Sequence, residues 1–387
     1  MSGFLVFKFG GSSFNTDHSY RRIAAHLQQH ARTGSKICVV VSAMSGTTGA
    51  LAELLQSICP AARPQDVDAV LTTGELVSAA LLCAALAKAG VSSRQVNAYQ
   101  LGWLSTADFT RAELLAYPSS ALLSAFEEAD VVVVPGGQAM TARGEITMLG
   151  RNSSDLTALV CAKILQVSSV RIYSDVEGIY TADPFKVSGA RLIPRLGYDL
   201  AGKYANAGAK VLHPGCLAFA KSHSIEIECA HYCQRSDRVY LGSLIAADGG
   251  ESVQLVILPN DHVLWETPDR TLFESWKRAC RRQGVTWFED SRGIHRIVLA
   301  GNALSQLDWE APGQANGPDQ RLLLAFERTG ETVVHLVPER HLEEHANAVH
   351  AELVQRIDST APSRELTKSR SRFSTVYQHV SAAEGVS

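Results

Sequence analysis

A chain of 387 residues exceeds one ordinary domain, and with 46% apolar and 19% charged residues it has the make-up of a soluble globular protein with a substantial core. A net charge of −3 gives no electrostatic footprint for nucleic acid or an anionic membrane surface, and no apolar run approaches the roughly 20 residues that span a bilayer. Eight scattered cysteines, several inside apolar patterns, and no basic-then-apolar leader point to reduced thiols in a cytoplasmic protein.

The first strand, Phe4 to Phe9, carries Lys8 near its end and breaks at Gly10-Gly11-Ser12-Ser13, before a helix over about 20–31 that Asp17 or Ser19 would cap. Glycines let successive N–H groups converge on an anion, a helix start adds favourable dipole charge, and Lys8 can neutralise a phosphoryl group in flight. The same residues also suit a plain tight turn, and the spacing is not that of a P-loop. Lys36 to Val41 reads as a buried strand that ends in the hydroxyl-rich turn Ser42 to Gly49. Two such strand-to-helix turns so early predict parallel strands whose carboxyl ends face one site.

Helices follow over about 49–58, 66–71 and 76–89, with Glu75 at the start of the last, where it serves either the helix dipole or a ligand. A short strand is expected at 96–99, a loop or hairpin over 102–110, a helix over 121–128 capped by Ser120, and a buried strand at 131–134. Gly150-Arg151-Asn152-Ser153-Ser154-Asp155 then leads into a helix over 156–165. An arginine, small residues and an aspartate at a helix start make a second anion site, or Ser154 or Asp155 is simply its N-cap. A strand at 171–173 precedes the acceptor-rich loop Ser174 to Pro184. A helix over 198–206, the stretch Gly208 to Pro214, a helix over 215–222 and a strand at 225–229 that closes the sheet complete this half. Cys229, His231 and Cys233 are not assigned to a metal, because they alternate along a strand with no fourth ligand nearby, and no metal site is expected.

Taken together, Lys8 to Ser13, Val41 to Met44, Thr73-Gly74-Glu75, Leu149-Gly150-Arg151 with Ser154-Asp155, Asp175 to Asp183-Pro184, and Gly208 to Pro214 resemble the motifs of aspartokinases in order and spacing, over about residues 3–245. The resemblance implies the amino-acid-kinase fold, an α/β open and mainly parallel sheet sandwiched by helices, and transfer of the γ-phosphoryl of ATP to the β-carboxylate of aspartate with Mg2+ on the phosphates. By motif match, Lys8 stabilises the moving phosphoryl with the N–H groups of Gly10 and Gly11, and Asp155 organises that lysine. Ser42, Thr48, Glu75, Arg151 and Ser154 fall where the family binds aspartate. Ser12, Ser174, Asp175, Tyr180, Asp183 and Lys210, with Lys8, Gly10 and Gly11, fall where it holds the nucleotide.

Three departures touch that site. Asn152 and Ser153 replace two glycines, Gly136-Gly137-Gln138-Ala139 stands where the family has Gly-Phe-x-Gly, and Phe185, beside Lys186, replaces an arginine. They leave open a different amino acid or hydroxyl acceptor, or a catalytically inactive regulatory subunit. After the kinase domain, residues 1–248, the β-α-β-β and β-β-α pattern of 249–357 resembles the family's ACT domains, with a polar loop over 302–319. Residues 358–387 suit a flexible tail. The expected partners are a small amino acid and ATP, with a homodimer or higher homo-oligomer and neither nucleic acid nor membrane.

Overall fold

The computed structural model describes residues 3–150, 153–209, 212–234, 236, 238–249, 255–259, 262–267, 269–282, 288–290, 295–300, 320–326 and 332–360. Arg151, Asn152, Lys210, the 302–319 loop and residues 361–387 lie outside the described residues. The first elements are β1 (Phe4–Phe9), α1 (Asp17–Arg32), β2 (Lys36–Val41), α2 (Thr47–Ile58), α3 (Pro64–Leu71), α4 (Thr73–Lys88), β3 (Ser93–Gln95), α5 (Ala98–Leu101), β4 (Leu104–Ser105) and β5 (Leu114–Ala116). Next come α6 (Ser120–Glu128), β6 (Val131–Pro135), β7 (Gln138–Met140), β8 (Ile146–Met148), α7 (Ser153–Leu165), β9 (Ser169–Ser174), β10 (Arg195–Leu196), α8 (Tyr198–Asn206), α9 (Pro214–His223), β11 (Glu226–Cys233) and β12 (Arg238–Ile245).

Eight strands form one sheet in the order β10-β12-β11-β9-β1-β2-β6-β3, and every pair from β11 to β3 is parallel. Side-chain alternation explains why both faces are apolar. Phe7, Phe9, Ile37, Val39, Val41, Val131 and Val133 enter one core with Ile23 and Leu27 of α1 and Leu82 and Leu86 of α4. Val6, Cys38, Val40, Val132 and Val134 enter the other, with Phe126 of α6 and Leu159 of α7. A parallel sheet covered by helices on both faces needs such unbroken apolar strands. Lys8 shares the pleat of Val6, so its side chain leaves the sheet on the α7 side.

Several expectations change. The strand expected at 96–99 lies at Ser93–Gln95, and Asn97 opens a short helix instead, with Asn97 and Gln100 capping each other through side-chain and backbone bonds of 3.2 and 2.9 Å. The sheet does not close at Cys229: β11 runs on to Cys233 and turns back antiparallel as β12. Helix α1 is capped one residue before Asp17, where the Thr16 N–H donates to Ser19 Oγ (3.3 Å). The 102–116 region supplies β4 and β5 to a separate sheet, β5-β4-β7-β8.

Helices α3 and α4 follow one another through Thr72 as a stretch, Pro64–Lys88, that is long and apolar enough by composition to cross a membrane, contrary to the reading of its apolar runs. Here one face of it is core, while Val77 and Leu81 on the other are exposed. Ala79, Leu82 and Leu86 are buried against α1 and the sheet, and α3 contributes the fully buried Asp68. Asp68 accepts the Thr110 N–H on both oxygens and the Met148 N–H on Oδ2, each at 2.9 Å. Burial raises its pKa while these bonds pull it down. Removing an acceptor that serves two backbone donors leaves both unsatisfied, so Asp68→Ala is expected to cost about 3 kcal/mol in urea unfolding, and Asp68→Asn about half that.

The C-terminal elements are β13 (Leu255–Ile257), β14 (His262–Thr267), α10 (Arg270–Arg282), β15 (Phe288–Asp290), β16 (His295–Ala300), β17 (Gln320–Phe326), β18 (Thr332–Pro338) and α11 (Leu342–Thr360). They form two three-stranded sheets, β13-β17-β18 and β14-β16-β15. The first is docked rather than tethered. Leu255, Ile257, Leu322, Leu324 and Phe326 join the core under α8, while Val256, Leu323 and Ala325 pack with Ala346 and Leu353 of α11 and with Ala182 and Val187 of the 174–190 segment. Thr181 Oγ1 and His350 Nε2, both buried, meet at 2.8 Å across this junction.

Candidate active site

The carboxyl ends of β1, β2, β6 and β9 lie side by side, and the predicted residues collect there as the parallel topology requires. At the head of β1, Lys8 is 8% exposed, and its Nζ stands 2.7 Å from Oδ1 of Asp155, in the first turn of α7 and 4% exposed. The Lys8 ammonium is thus the partner of Asp155 Oδ1, an ion pair buried on both sides. Two opposite charges buried at this distance hold each other in place.

The turn after β1 is a 3-10 turn over Gly11–Ser13. Gly10 does not offer its N–H to an anion as expected, because that group donates to the Tyr173 carbonyl at 3.1 Å and sews β1 to β9. A Cβ at Gly10 would lie in ordinary contact with the Tyr173 carbonyl and Lys8 Nζ, at 3.4 and 3.5 Å. Among the described residues no acceptor takes the N–H groups of Gly11 or Ser12, which leaves those two as the available donors. Gly11 packs close to the β2 turn, where an added Cβ would lie 3.1 Å from the Ala43 carbonyl.

On the β2 side, Ser42 Oγ and Ser154 Oγ are 2.9 Å apart, and the Ala43 N–H donates to Glu75 Oε1 at 3.2 Å. The Glu75 carboxyl, in the first turn of α4, is pushed up by burial to about 7 against the Ala43 bond. Helix α7 can approach this closely because position 136 is glycine: a Cβ there would meet Ser154 Cβ at 2.3 Å. Thr48 lies in the first turn of α2, exposed. Ser42, Ser154, Glu75, Lys8 and Asp155 are therefore brought together by the described fold, while Arg151 and Lys210 lie outside the described residues.

The 174–185 segment forms the other side. Ser174 Oγ donates to the Val176 carbonyl (2.7 Å), Tyr180 Oη donates to Glu177 Oε2 (3.1 Å), and Asp183 Oδ1 accepts the Phe185 N–H (3.0 Å). Asp175, Tyr180 and Asp183 line a cavity of about 210 Å³ with Gly208 and Ala209. Its remaining wall is Leu255 to Leu258, from the C-terminal half, which the sequence reading left out of the site. Phe185 lines the cavity and is 77% exposed. A second residue not singled out is His213, the N-cap of α9, whose Nδ1 accepts the Gly215 N–H at 3.2 Å. Burial lowers its pKa and the Asp155 charge opposes that shift, which places the imidazole within electrostatic reach of the Lys8–Asp155 pair. The signal was the His-Pro step, a capping residue followed by proline at N1. Among the described residues no three of His, Cys, Asp and Glu are grouped to hold a metal; His231 Nδ1 is instead 2.9 Å from the Ser174 carbonyl.

Comparison with known proteins agrees with this geometry. The model of the amino acid kinase family matches residues 3–231. An aspartokinase of Mycobacterium tuberculosis is 36% identical over 242 residues, 62% of this chain and 58% of that protein. An aspartate kinase of Pseudomonas putida is 33% identical over 254 residues, 66% of this chain and 61% of its own length. The chain thus spans about three fifths of the length of these curated relatives. The crystal structure of E. coli aspartokinase III in complex with aspartate and ADP superposes with a TM-score of 0.70 at 21% identity, covering 91% of this chain and all of that one, a likeness of fold.

Proposed function

The chain belongs to the amino acid kinase family, and on that footing we propose that it transfers the γ-phosphoryl group of ATP to the β-carboxylate of L-aspartate, giving ADP and 4-phospho-L-aspartate. The observation that carries this reading is the buried Lys8–Asp155 contact, set between the Ser42, Ser154 and Glu75 group and the cavity of the 174–185 segment. A carboxylate acceptor is already ionised at neutral pH, so no general base is needed, and the barrier is one of bringing anion to anion. Lys8 neutralises the phosphoryl in flight, Asp155 fixes the ammonium, and Gly11 and Ser12 donate backbone N–H groups. Glu75 takes the ammonium of the amino acid and Arg151 a carboxylate in bidentate fashion. Asp183, Tyr180, Asp175, Ser174 and Lys210 hold the nucleotide.

With one buried carboxylate, Asp155, already paired with Lys8, and no three-ligand cluster among the described residues, the donor set fits magnesium carried in on the ATP phosphates, where it would neutralise their charge. Residues 249–357 fit paired ACT-like units, and a homo-oligomer built through them belongs to the same reading. The experiment is ATP turnover with magnesium across a panel of amino acids, with hydroxylamine to trap an acyl phosphate. A hydroxamate from aspartate supports the proposal. ADP release with another acceptor only, or nucleotide binding without turnover, transfers it to a different amino acid kinase or a regulatory subunit, readings favoured by Ser153, Gly137 and Phe185.

Glu75 gives the reaction a pH signature. Its carboxyl titrates near 7 in the folded protein, against 4.5 for an ordinary glutamate. Only the ionised form pairs with an ammonium, so the aspartate KM is expected to rise about tenfold per pH unit below 7 and to flatten above it. Stability moves the opposite way. The raised pKa favours the neutral form in the folded state, a contribution fully present below 4.5 and lost as pH rises through 7. Glu75→Gln is therefore expected to bind aspartate weakly at every pH, with a flat KM profile, yet to melt above the parent protein at pH 8. KM profiles with melting curves at pH 6 and 8 check both halves.

A further inference from the structure

Four hydrogen bonds around the β8–α7 junction close on themselves. Ser153 Oγ donates to the Gly150 carbonyl at 2.6 Å. Thr157 Oγ1 donates to the Ser153 carbonyl at 3.3 Å and accepts the Gly137 N–H at 2.8 Å. The Gly137 carbonyl accepts the Leu149 N–H at 2.9 Å, and Leu149 is bonded to Gly150, which completes the ring. Ser153 is 6% exposed and Thr157 1%, so little water competes for these groups. At the centre of the ring, Gly137 has a left-handed backbone, φ +74°, and a Cβ there would lie 2.5 Å from Ser153 Oγ. A side chain at 137 is thus shut out twice, by its own φ and by the serine hydroxyl.

We infer that Ser153 and Gly137 form a matched pair that sets the acceptor side of the site: the Ser153 hydroxyl occupies the space a side chain at 137 would need and bolts Gly150 to the start of α7. The two departures from the aspartokinase pattern at these positions are then one exchange, an aromatic wall given up for a polar clasp. The clasp joins the residues that flank Arg151 and Asn152 in sequence. Fixing Gly150 and Ser153 before the acceptor arrives removes part of the entropy cost of binding, at the expense of adaptability. Ser153 acts here as a positioning residue and touches no reacting atom. The inference rests on the reading of residues 149–155 as the acceptor side, but the pairing itself is testable without turnover.

The test is a double-mutant cycle on the full chain. Gly137→Ala is expected to lower the melting temperature by several °C, and by clearly less when Ser153→Gly is also present. Shifts that simply add would overturn the pairing, whatever the enzyme does. In the hydroxamate assay Ser153→Ala, which keeps Cβ and removes only the hydroxyl, is expected to raise the aspartate KM about tenfold, with kcat and the ATP KM within about twofold. An unchanged aspartate KM, or an equal loss in all three parameters, would refute the positioning role. Absence of aspartate turnover in the parent protein would sink the proposed function, while the melting cycle would still decide the pair.

Discussion

Lys8→Ala is expected to lower turnover by about 10³-fold or more at saturating ATP and amino acid, because it removes the cation aimed at the charge that moves in the reaction. Lys8 leaves β1 on the α7 side of the sheet, is 8% exposed, and holds its Nζ 2.7 Å from Asp155. In so dry a setting a fixed ammonium neutralises a phosphoryl group far more effectively than water would, and it needs no reorganisation when the group arrives. The substitution also strands the Asp155 carboxylate, so a stability loss of about 3 kcal/mol should accompany the catalytic one. The two effects separate with Lys8→Arg, which keeps the charge on a wider, planar head: stability is expected to recover more than turnover. Steady-state rates beside urea unfolding of both variants make the measurement. A Lys8→Ala protein that folds normally and keeps most of its activity would remove Lys8 from the reaction.

The legibility of this site follows from what kinds of contact make it. Lys8 and Asp155 could be read because the parallel-sheet pattern alone brings strand ends and helix starts to one edge: β1, β2 and β6 are apolar runs, broken in β1 only by Lys8 and opened in β2 by Lys36, and their register follows. Capping signals compete with strand propensity. Asn97 and Gln100 spell a capping box that ends the short strand early, and Val96 to Tyr99 reads as strand only if that box is ignored. The Leu255 to Leu258 wall of the cavity could not be read at all, since nothing local marks a strand that docks on a loop some seventy positions earlier in the chain. Gly137 shows the limit most clearly. As a departure from a family pattern it looks like a lost wall, whereas in the fold it is the residue that admits the Ser153 hydroxyl. Pairwise exchange between positions far apart in sequence is invisible to a pattern read one motif at a time.

Asp155 is the companion test, and its outcome separates partnership from simple proximity. Asp155→Asn keeps the shape of the side chain and removes its charge, leaving Lys8 buried without an anion; turnover is expected to fall about 10²- to 10³-fold and stability by a few kcal/mol. If the two residues act as one unit, the catalytic losses will not add. Lys8→Met with Asp155→Leu should be no slower than the worse single variant, because the second change removes a group whose purpose was already gone. Stability should then diverge from activity in the same protein. An apolar pair of similar volume carries no desolvation cost, so the double variant is expected to regain most or all of the folding free energy that either single change loses. Recovery of stability without recovery of turnover identifies the pair as one kept for reaction rather than for folding. Catalytic losses that multiply instead would mean that Asp155 acts on the phosphates independently of Lys8.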